Sequence, residues 1–245
     1  MSDRVGPGPV VMARILRLAL RVHREPVPYA RAVADLVVRY LRHAGVPLEG
    51  RRVLDVGTGG GSLPDALGRA GARVVAVDVE DRRRGEFRDG SFAVASGHRL
   101  PFADEGFDLV VSSNVLEHVP DGPRLVSELI RVARPGGLVW LSWTNWLSPL
   151  GGHEWSPFHY LGSSLGPAAY RAVRRRDIPW NRPGETLFAV SVADVLGALE
   201  RSPDVEVLDV VPRYWPSQRW IVAVPGLREV ATWNCAVLMR RVRPA

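Results

Sequence analysis

Short runs of apolar residues, separated by polar and glycine-rich turns, dominate the chain from about residue 51 onward. The runs at 53–56, 74–77 and 109–111 are apolar at nearly every position, which is typical of strands buried on both faces of a parallel sheet. Between them lie stretches with apolar residues at every third or fourth position, the period of a helix with one buried face. This alternation predicts an α/β fold with a doubly wound, mostly parallel sheet.

Followed along the chain, the pattern predicts seven strands. They share a short apolar run bounded by turn residues, and we expect them at 52–56, 72–79, 92–95, 109–112, 138–143, 205–211 and 231–240. Helical periodicity separates them at 62–71, 121–134 and 191–201. Two further helices, at 10–25 and 29–44, precede the first strand.

The order of these segments predicts one domain over residues 1–245. Residues 1–9 are rich in glycine and proline and are expected to be disordered. Residues 10–45 form an N-terminal helical lid, and 51–143 form the ligand-binding core. An aromatic-rich insertion at 144–190 follows the fifth strand, and 191–245 supply the last helix and strands.

A glycine-rich turn follows the first strand, where the sequence reads Asp55-Val56-Gly57-Thr58-Gly59-Gly60-Gly61. Glycines turn sharply and let a ligand approach the bare backbone. Asp78 ends the second strand 21 residues after Gly57, where doubly wound nucleotide sites hold a ribose hydroxyl. Asp55, two residues before the first glycine, favours a ligand with an ammonium group. The third glycine of a nicotinamide-binding loop is replaced by Ser62, which disfavours a nicotinamide oxidoreductase.

These residues resemble the first motif of the class I S-adenosylmethionine-dependent methyltransferases. Further similarity to the type 11 branch of that family lies in four later motifs, in the family order: Leu100-Pro101-Phe102, Phe107-Asp108, Leu116-Glu117-His118-Val119 at a helix start, and the turn Arg134-Pro135-Gly136-Gly137. The resemblance covers about 51–143 and implies the Rossmann-like methyltransferase fold.

The resemblance also implies S-adenosylmethionine as cofactor and assigns its contacts. The methionine portion is expected against Asp55, Gly57, Thr58, Gly59 and Gly61. The ribose is expected at Asp78 and Val79, the adenine beside Ser96, Gly97 and His98, and the cleft floor at Ser113 and Asn114. The family usually carries an aspartate where this chain has Ser96, and a hydroxyl accepts the adenine hydrogen bond more weakly.

The segment 145–162 is the expected acceptor side, since ligands of open α/β sheets bind at this edge. Its aromatic and polar residues suit a small-molecule pocket, and the expected substrate contacts are Trp146, Glu154, Trp155 and His159. The alternative is that its aromatics only attach the insertion to the sheet. If the acceptor is a hydroxyl, a general base helps, and the candidates are His153 first and His118 second. No metal ligand set is expected.

The composition restricts the possible partners and the location of the protein. The net charge is +6, but all 32 basic residues are arginine, and this bias gives little support to a nucleic-acid partner. Cys235 is the single cysteine, which excludes an intrachain disulfide. Without a signal peptide or a membrane-spanning run, the sequence predicts a soluble cytoplasmic enzyme; it does not predict an oligomeric state.

The function expected from the sequence is therefore methyl transfer from S-adenosylmethionine to a small-molecule acceptor, with a metabolite hydroxyl preferred. Two alternatives stay open. A nucleic-acid methyltransferase is disfavoured because no Asn-Pro-Pro or Asp-Pro-Pro motif is present to hold a flipped base. A non-catalytic module that keeps the fold is mildly favoured by Ser96.

Overall fold

The computed structural model describes residues 13, 15, 17, 18, 26–83, 87, 90–178 and 180–242. The predicted tail 1–9 and most of the predicted helix 10–25 lie outside these residues. The four described positions between 13 and 18 are helical. Ile15 and Leu18 are buried and Arg17 is exposed, as the amphipathic pattern predicts.

Helices and strands alternate through most of the described chain. The helices are α1 (Pro26–His43), α2 (Ser62–Arg69), α3 (Gly122–Val132), α4 (Gly162–Arg174), α5 (Val192–Glu200), α6 (Trp220–Ala223) and α7 (Leu227–Ala231). The strands are β1 (Arg52–Val56), β2 (Arg73–Asp78), β3 (Ser91–Val94), β4 (Phe107–Ser113), β5 (Ala133–Thr144), β6 (Val205–Pro212) and β7 (Asn234–Arg241).

The seven strands form one mixed sheet in the order β3-β2-β1-β4-β5-β7-β6. Neighbours from β3 to β5 are parallel, whereas β7 runs antiparallel to both β5 and β6. This confirms the predicted doubly wound sheet. The strand order reverses between β1 and β4, and a crevice opens beyond the carboxyl ends of strands at such a switch point.

Alternate residues of each strand feed two cores on opposite faces of the sheet. Leu54 and Val139 pack on one face with Leu125 of α3 and Leu196 of α5. On the other face, Val53 and Trp140 pack with apolar residues of α1 and α2, including Leu41 and Leu67. Burial on both faces explains why the central strands lack the alternating pattern of a half-exposed sheet.

Three boundaries differ from the sequence prediction. The Arg134-Pro135-Gly136-Gly137 turn lies inside β5, because this strand begins at Ala133 and continues through a register shift opposite Phe107 and Leu109. The predicted strand 231–240 begins only at Asn234, after α7. The predicted helix start at Leu116 is instead a 3-10 turn, Leu116–His118. Helix α3 begins later, and its first turn is capped by the Asp121 side chain, which accepts a hydrogen bond from the Arg124 backbone N–H at 3.0 Å.

The insertion after β5 has its own small core. Trp155, Tyr170, Ile178 and Leu187 are buried together, with Trp146 and Phe158 packed against them. This core fixes two 3-10 turns, His153–Trp155 and Phe158–Leu161, over the carboxyl edge of the sheet. Within the ranges that the structure describes, none of the helices has the length and hydropathy needed to cross a bilayer.

Candidate functional site

A cleft of about 1060 Å³ opens at the switch point of the sheet. Its floor comes from the ends of β1 and β4, through Asp55, Ser113 and Asn114. Helix α1 forms one wall and the insertion after β5 forms another. The lining from these two walls includes Tyr29, Ala30, Val33, Pro149, Leu150, His153, Glu154, Trp180 and Asn181.

The glycine turn is held close to the sheet by its backbone. The Gly57 N–H donates to the Val77 carbonyl at 2.8 Å, and Gly57 has φ +80°. A Cβ at Gly57 would lie 2.1 Å from a methyl group of Val115, so no side chain fits there. At Gly59, with φ +53°, a Cβ would meet nothing within 4 Å, so this part of the turn leaves open space for a ligand.

Asp55 places a carboxyl group at the bottom of the cleft. The residue is 1% exposed, and its Oδ2 has no hydrogen-bond partner. Burial raises the pKa of Asp55 to about 7, and the nearby charge of Asp78 adds to the shift. A buried acceptor without a donor is costly, and a ligand with a positively charged amino group would satisfy it. The cofactor role expected for Asp55 is compatible with this geometry and stays a prediction.

The other predicted cofactor residues continue along the same edge of the sheet. The Gly59 N–H donates to Asp78 Oδ2 at 2.8 Å, and the Asp78 carbonyl accepts from the Ala95 N–H at 3.0 Å. This pairing brings Ser96 next to the end of β2. Ser96 Oγ accepts from the His98 N–H at 3.2 Å, which caps the turn where adenine is expected. Gly57 and Thr58, like Asp55, line the cleft, and Gly61 is the residue before α2. The predicted cofactor residues that are not among those lining the cleft are Gly59, Gly61, Asp78, Val79, Ser96, Gly97 and His98.

Asn114 connects the cleft floor to two buried charges that sequence reasoning missed. It has φ +60°, a left-handed conformation that is uncommon outside glycine. Its Oδ1 accepts from the Arg213 guanidinium, and its Nδ2 donates to Glu117 Oε1 at 3.0 Å. Arg213 and Glu117 are 2% and 1% exposed. The amide thus joins a buried cation to a buried anion.

Arg213 also fixes the tyrosines beside the cleft. One of its terminal nitrogens donates to Ser113 Oγ at 3.0 Å, and the other donates to the Tyr214 hydroxyl at 2.9 Å. The Tyr214 and Tyr29 hydroxyls lie 2.7 Å apart. Burial raises the pKa of Tyr29 well above its ordinary value, so its phenol stays protonated. Except for Arg213 and its neighbour Tyr214, the partners in these contacts lie 99 or more residues apart in sequence, and no local motif indicates them.

The structure brings both predicted catalytic histidines together with Glu117. The rings of His118 and His153 have centroids 5.2 Å apart. Burial lowers the pKa of His153, so the ring is neutral near pH 7. Burial by itself would raise the pKa of Glu117, but His118, His153 and backbone donors hold it below its ordinary value. His153 lines the cleft, whereas His118 lies behind it.

The predicted substrate contacts divide into two groups. Glu154 lines the cleft, but its carboxylate is engaged by the backbone N–H groups of Trp180 and Asn181 at 3.0 and 2.7 Å. Trp155 and His159 are completely buried, and His159 Nε2 contacts the Ser148 carbonyl at 3.1 Å.

The expected acceptor contacts of Trp146, Trp155 and His159 therefore need correction. Their rings pack on one another with centroids 5.4–6.1 Å apart and are absent from the cleft lining. They attach the insertion to the sheet, the alternative that the sequence left open. The aromatic wall of the cleft comes instead from Tyr29, Trp180, Tyr214 and Trp233, which lie in segments far apart in sequence.

Two parts of the cleft lining offer different chemistry. The part at Asp55 combines a carboxyl group with exposed glycine backbone and suits a cationic, nucleoside-like ligand. The part at His153 combines apolar walls with a neutral imidazole and suits a second, less polar molecule that loses a proton.

Comparison with known proteins identifies a family. Residues 54–141 match a family described as "Methyltransferase domain". An uncharacterized methyltransferase of Mycobacterium leprae is 40% identical to this chain over 233 residues, and the alignment covers 89% of this chain and 85% of the relative.

Solved structures share the fold. An S-adenosylmethionine-dependent methyltransferase from Mesorhizobium loti superposes with a TM-score of 0.55 at 23% identity, covering 80% of this chain and 93% of that one. Magnesium protoporphyrin IX methyltransferase from Synechocystis, solved with bound SAH, gives a TM-score of 0.55 at 18% identity and covers 86% of this chain and 83% of that one.

Proposed function

The chain belongs to the class I S-adenosylmethionine-dependent methyltransferases, and from this membership we propose that it methylates a hydroxyl group of a small metabolite. The observation that carries the proposal is the charge of the cleft. Although the chain has a net charge of +6, no arginine among the residues that the structure describes lines the cleft, and the ionisable groups that line it are carboxyls, tyrosines and His153. A polyanion such as RNA needs cationic contacts to its phosphates, so this lining favours a compact, uncharged acceptor.

The Asp55 end would hold the cofactor. S-adenosylmethionine supplies a methyl group that is activated by a positively charged sulfur. We propose that the unpartnered Oδ2 of Asp55 accepts from its ammonium group. The open backbone at Gly59 and Gly60 gives room for the remainder, and Asp78 lies where the ribose hydroxyls are expected. Ser96 and the backbone of Gly97 and His98 would border the adenine.

His153 is the proposed proton acceptor at the other end. Its Nδ1 lies 3.3 Å from the Gly151 carbonyl, which can only accept, so Nδ1 carries the hydrogen and Nε2 carries the free lone pair. Bound S-adenosylmethionine would supply the methyl group to the acceptor oxygen, and the electron pair of the broken carbon–sulfur bond would stay on sulfur. Nε2 of His153 would take the hydroxyl proton. His118 would not touch the acceptor in this arrangement; its ring packs against the His153 ring, with centroids 5.2 Å apart.

The walls support a small acceptor that is shielded from water. Helix α1 and the segment held by Glu154 both line the cleft, through Tyr29 and Trp180, and Leu150 adds a further apolar side chain. Excluding water strengthens the electrostatic contacts of the reacting groups. Cys235 is buried with a free thiol, which agrees with a cytoplasmic location.

A transfer assay tests the proposal. Purified protein is incubated with methyl-labelled S-adenosylmethionine and a whole bacterial extract, and the products are separated by ultrafiltration into small and large molecules. We expect label in the small-molecule fraction, on oxygen by carbon-13 NMR. Label confined to RNA, DNA or protein would contradict the small-molecule proposal, and label on nitrogen or carbon would contradict the hydroxyl.

The role of His153 has its own test. His153→Ala should lower the rate of label transfer by about 10²- to 10⁴-fold, the usual contribution of one positioned base. Its affinity for S-adenosylhomocysteine should stay within about twofold, because Asp55 and the glycine turn lie at the other end of the cleft. His43→Ala, which removes an exposed histidine at the end of α1, is the matched control. Unchanged transfer by His153→Ala would remove this residue from the mechanism.

A further inference from the structure

We infer that Glu117, His118 and His153 form a binding site for a divalent transition-metal ion such as Zn²⁺. One possible ligand atom of each residue lies within 4.8 Å of those of the other two. Two imidazoles and one carboxylate are a ligand set that zinc accepts while keeping a position open for another molecule. The inference deepens the proposed function, but ion binding itself does not depend on it.

Each of the two imidazoles has one ring nitrogen whose lone pair is free to bind a metal ion. The His118 Nδ1 lies 2.9 Å from the Thr186 carbonyl, and the His153 Nδ1 lies 3.3 Å from the Gly151 carbonyl. Since a carbonyl only accepts hydrogen bonds, each Nδ1 carries the hydrogen and each Nε2 has a free lone pair. A backbone carbonyl bound to the second ring nitrogen is the usual support of a metal-bound histidine.

Glu117 supplies the third ligand. Its Oε1 accepts from the Thr144 N–H at 2.9 Å and from Asn114 Nδ2 at 3.0 Å, which fixes the plane of the carboxylate. Its Oε2 is buried and has no hydrogen-bond partner. A buried anionic oxygen without a donor is rare in native proteins. A bound cation would satisfy it, and this second observation points to a ligand independently of the clustering.

The distances permit coordination with small movements. Tetrahedral ligands at about 2.1 Å from zinc lie roughly 3.4 Å from one another. The three atoms, within 4.8 Å of each other, would therefore close by at most about 1.4 Å. Side-chain rotation gives displacements of that size.

A bound ion would change which group assists the reaction. His153 lines the cleft, so the open coordination position would face the acceptor end. With its Nε2 on the metal, His153 cannot take the hydroxyl proton. The acceptor hydroxyl would instead bind the ion, which lowers the pKa of a bound hydroxyl, and its proton would pass to solvent water before the methyl group is transferred. The acceptor class stays the same, and water instead of His153 takes the proton.

Cobalt binding tests the site without any activity measurement. The chelator-treated enzyme is titrated with Co²⁺, whose visible absorption reports tetrahedral coordination by nitrogen and oxygen, and the cobalt is then displaced by Zn²⁺. We expect one ion per chain. Glu117→Gln and His118→Ala should each weaken binding by at least about 100-fold, whereas His43→Ala should bind as the wild type does. Mg²⁺, which prefers oxygen ligands, should not displace the cobalt.

Wild-type protein gives a test that does not depend on folding of the variants. In nitrogen-15 NMR of labelled histidines, Zn²⁺ should change the ring signals of two of the six histidines, and a saturating excess should raise the Tm by about 5 °C. Binding below one equivalent, unchanged affinity in Glu117→Gln, or shifts in other histidines would overturn the inference. Methyl transfer by the metal-free enzyme at the full rate would overturn the role of the ion and leave His153 as the base.

Discussion

The backbone N–H of Gly59 donates a hydrogen bond to Asp78 Oδ2 at 2.8 Å, which ties the glycine turn after β1 to the end of β2. The other oxygen, Oδ1, accepts from the Glu80 N–H at 3.4 Å. Asp78 therefore shapes the turn before any ligand arrives. Its carboxylate has further lone pairs for a ribose hydroxyl, so one residue both orders the turn and takes part in the proposed contact.

Replacing Asp78 should weaken the cofactor site. We expect Asp78→Ala to reduce the affinity for S-adenosylhomocysteine by about 1–3 kcal/mol, because it removes a charged acceptor and frees the Gly59 backbone. Isothermal titration calorimetry gives this number directly. Asp81→Ala is the control, since Asp81 lies on the same loop and its carboxylate is engaged by Arg83. Equal losses in the two variants would remove Asp78 from the site.

Open space at Gly59 should be needed for the ligand. Gly59→Ala and Gly45→Ala introduce the same strain, since both glycines have positive φ and neither Cβ would meet an atom within 4 Å. Each should cost about 1–2 kcal/mol of folding stability. Only Gly59→Ala should also lose cofactor affinity, because Gly45 lies beyond the C-terminal end of α1, whereas the Gly59 N–H donates to Asp78. Similar affinity in both variants would place the ligand away from the turn.

The buried carboxyl of Asp55 should make stability depend on pH. Its pKa is about 7 in the folded protein, against about 3.9 in an unfolded chain. At a pH between these values, Asp55 is ionised in the unfolded chain but protonated in the folded protein. The free energy of unfolding therefore falls as pH rises from about 4 to 7. Above pH 7 the cost is constant.

Asp55→Asn should therefore gain stability relative to the wild type as pH rises through that window. Relative to the wild type, the free energy of unfolding of the variant should rise by about 1–3 kcal/mol between pH 5 and pH 8. The cofactor affinity of the variant should fall. Urea denaturation at a series of pH values measures this difference. If the unfolding free energies of the variant and the wild type differ by the same amount at every pH, Asp55 is already ionised at pH 5.

The link from Arg213 through Asn114 to Glu117 should act as a unit. Arg213→Met should lower the free energy of unfolding by about 3–5 kcal/mol, because it leaves a buried anion without its cation. The double variant Arg213→Met, Glu117→Gln should recover 0.5–3 kcal/mol of that loss, the size of coupling expected for residues in one network. Urea denaturation of both single variants and the double variant completes the cycle. Strict additivity would show that the two charges do not interact.

Much of the fold could be predicted because its signals are local. Continuous apolar runs predict buried strands, and Asp55, Gly57 and Asp78 follow directly from the turn and spacing of a nucleotide-binding unit. The errors lie where tertiary contacts override local signals. Gly136 and Gly137 are typical of a turn, but they lie inside β5, in the register shift between Ala133, which pairs with Phe107, and Leu138, which pairs with Leu109.

The acceptor end was predicted less well, because aromatic residues have the same sequence signal whether they line a cleft or fill a core. Trp155 and His159 are buried in the insertion, while Tyr29 and Trp180 reach the cleft from distant segments. Arg213 has no local motif, since its partners are brought together only by the sheet. Asn114 is the member of this network that a local signal could have identified, because an asparagine that follows a strand often takes a left-handed conformation.

A crystal structure of the protein with S-adenosylhomocysteine tests the division of the cleft most directly. We predict that the amino group of the ligand lies within about 3.2 Å of Asp55 Oδ2, with the ribose at Asp78 and the sulfur directed toward a free space between Tyr29, Leu150 and His153. A ligand whose amino group lies against His153 and Trp180, with Asp55 still unpartnered, would contradict the assignment of both ends.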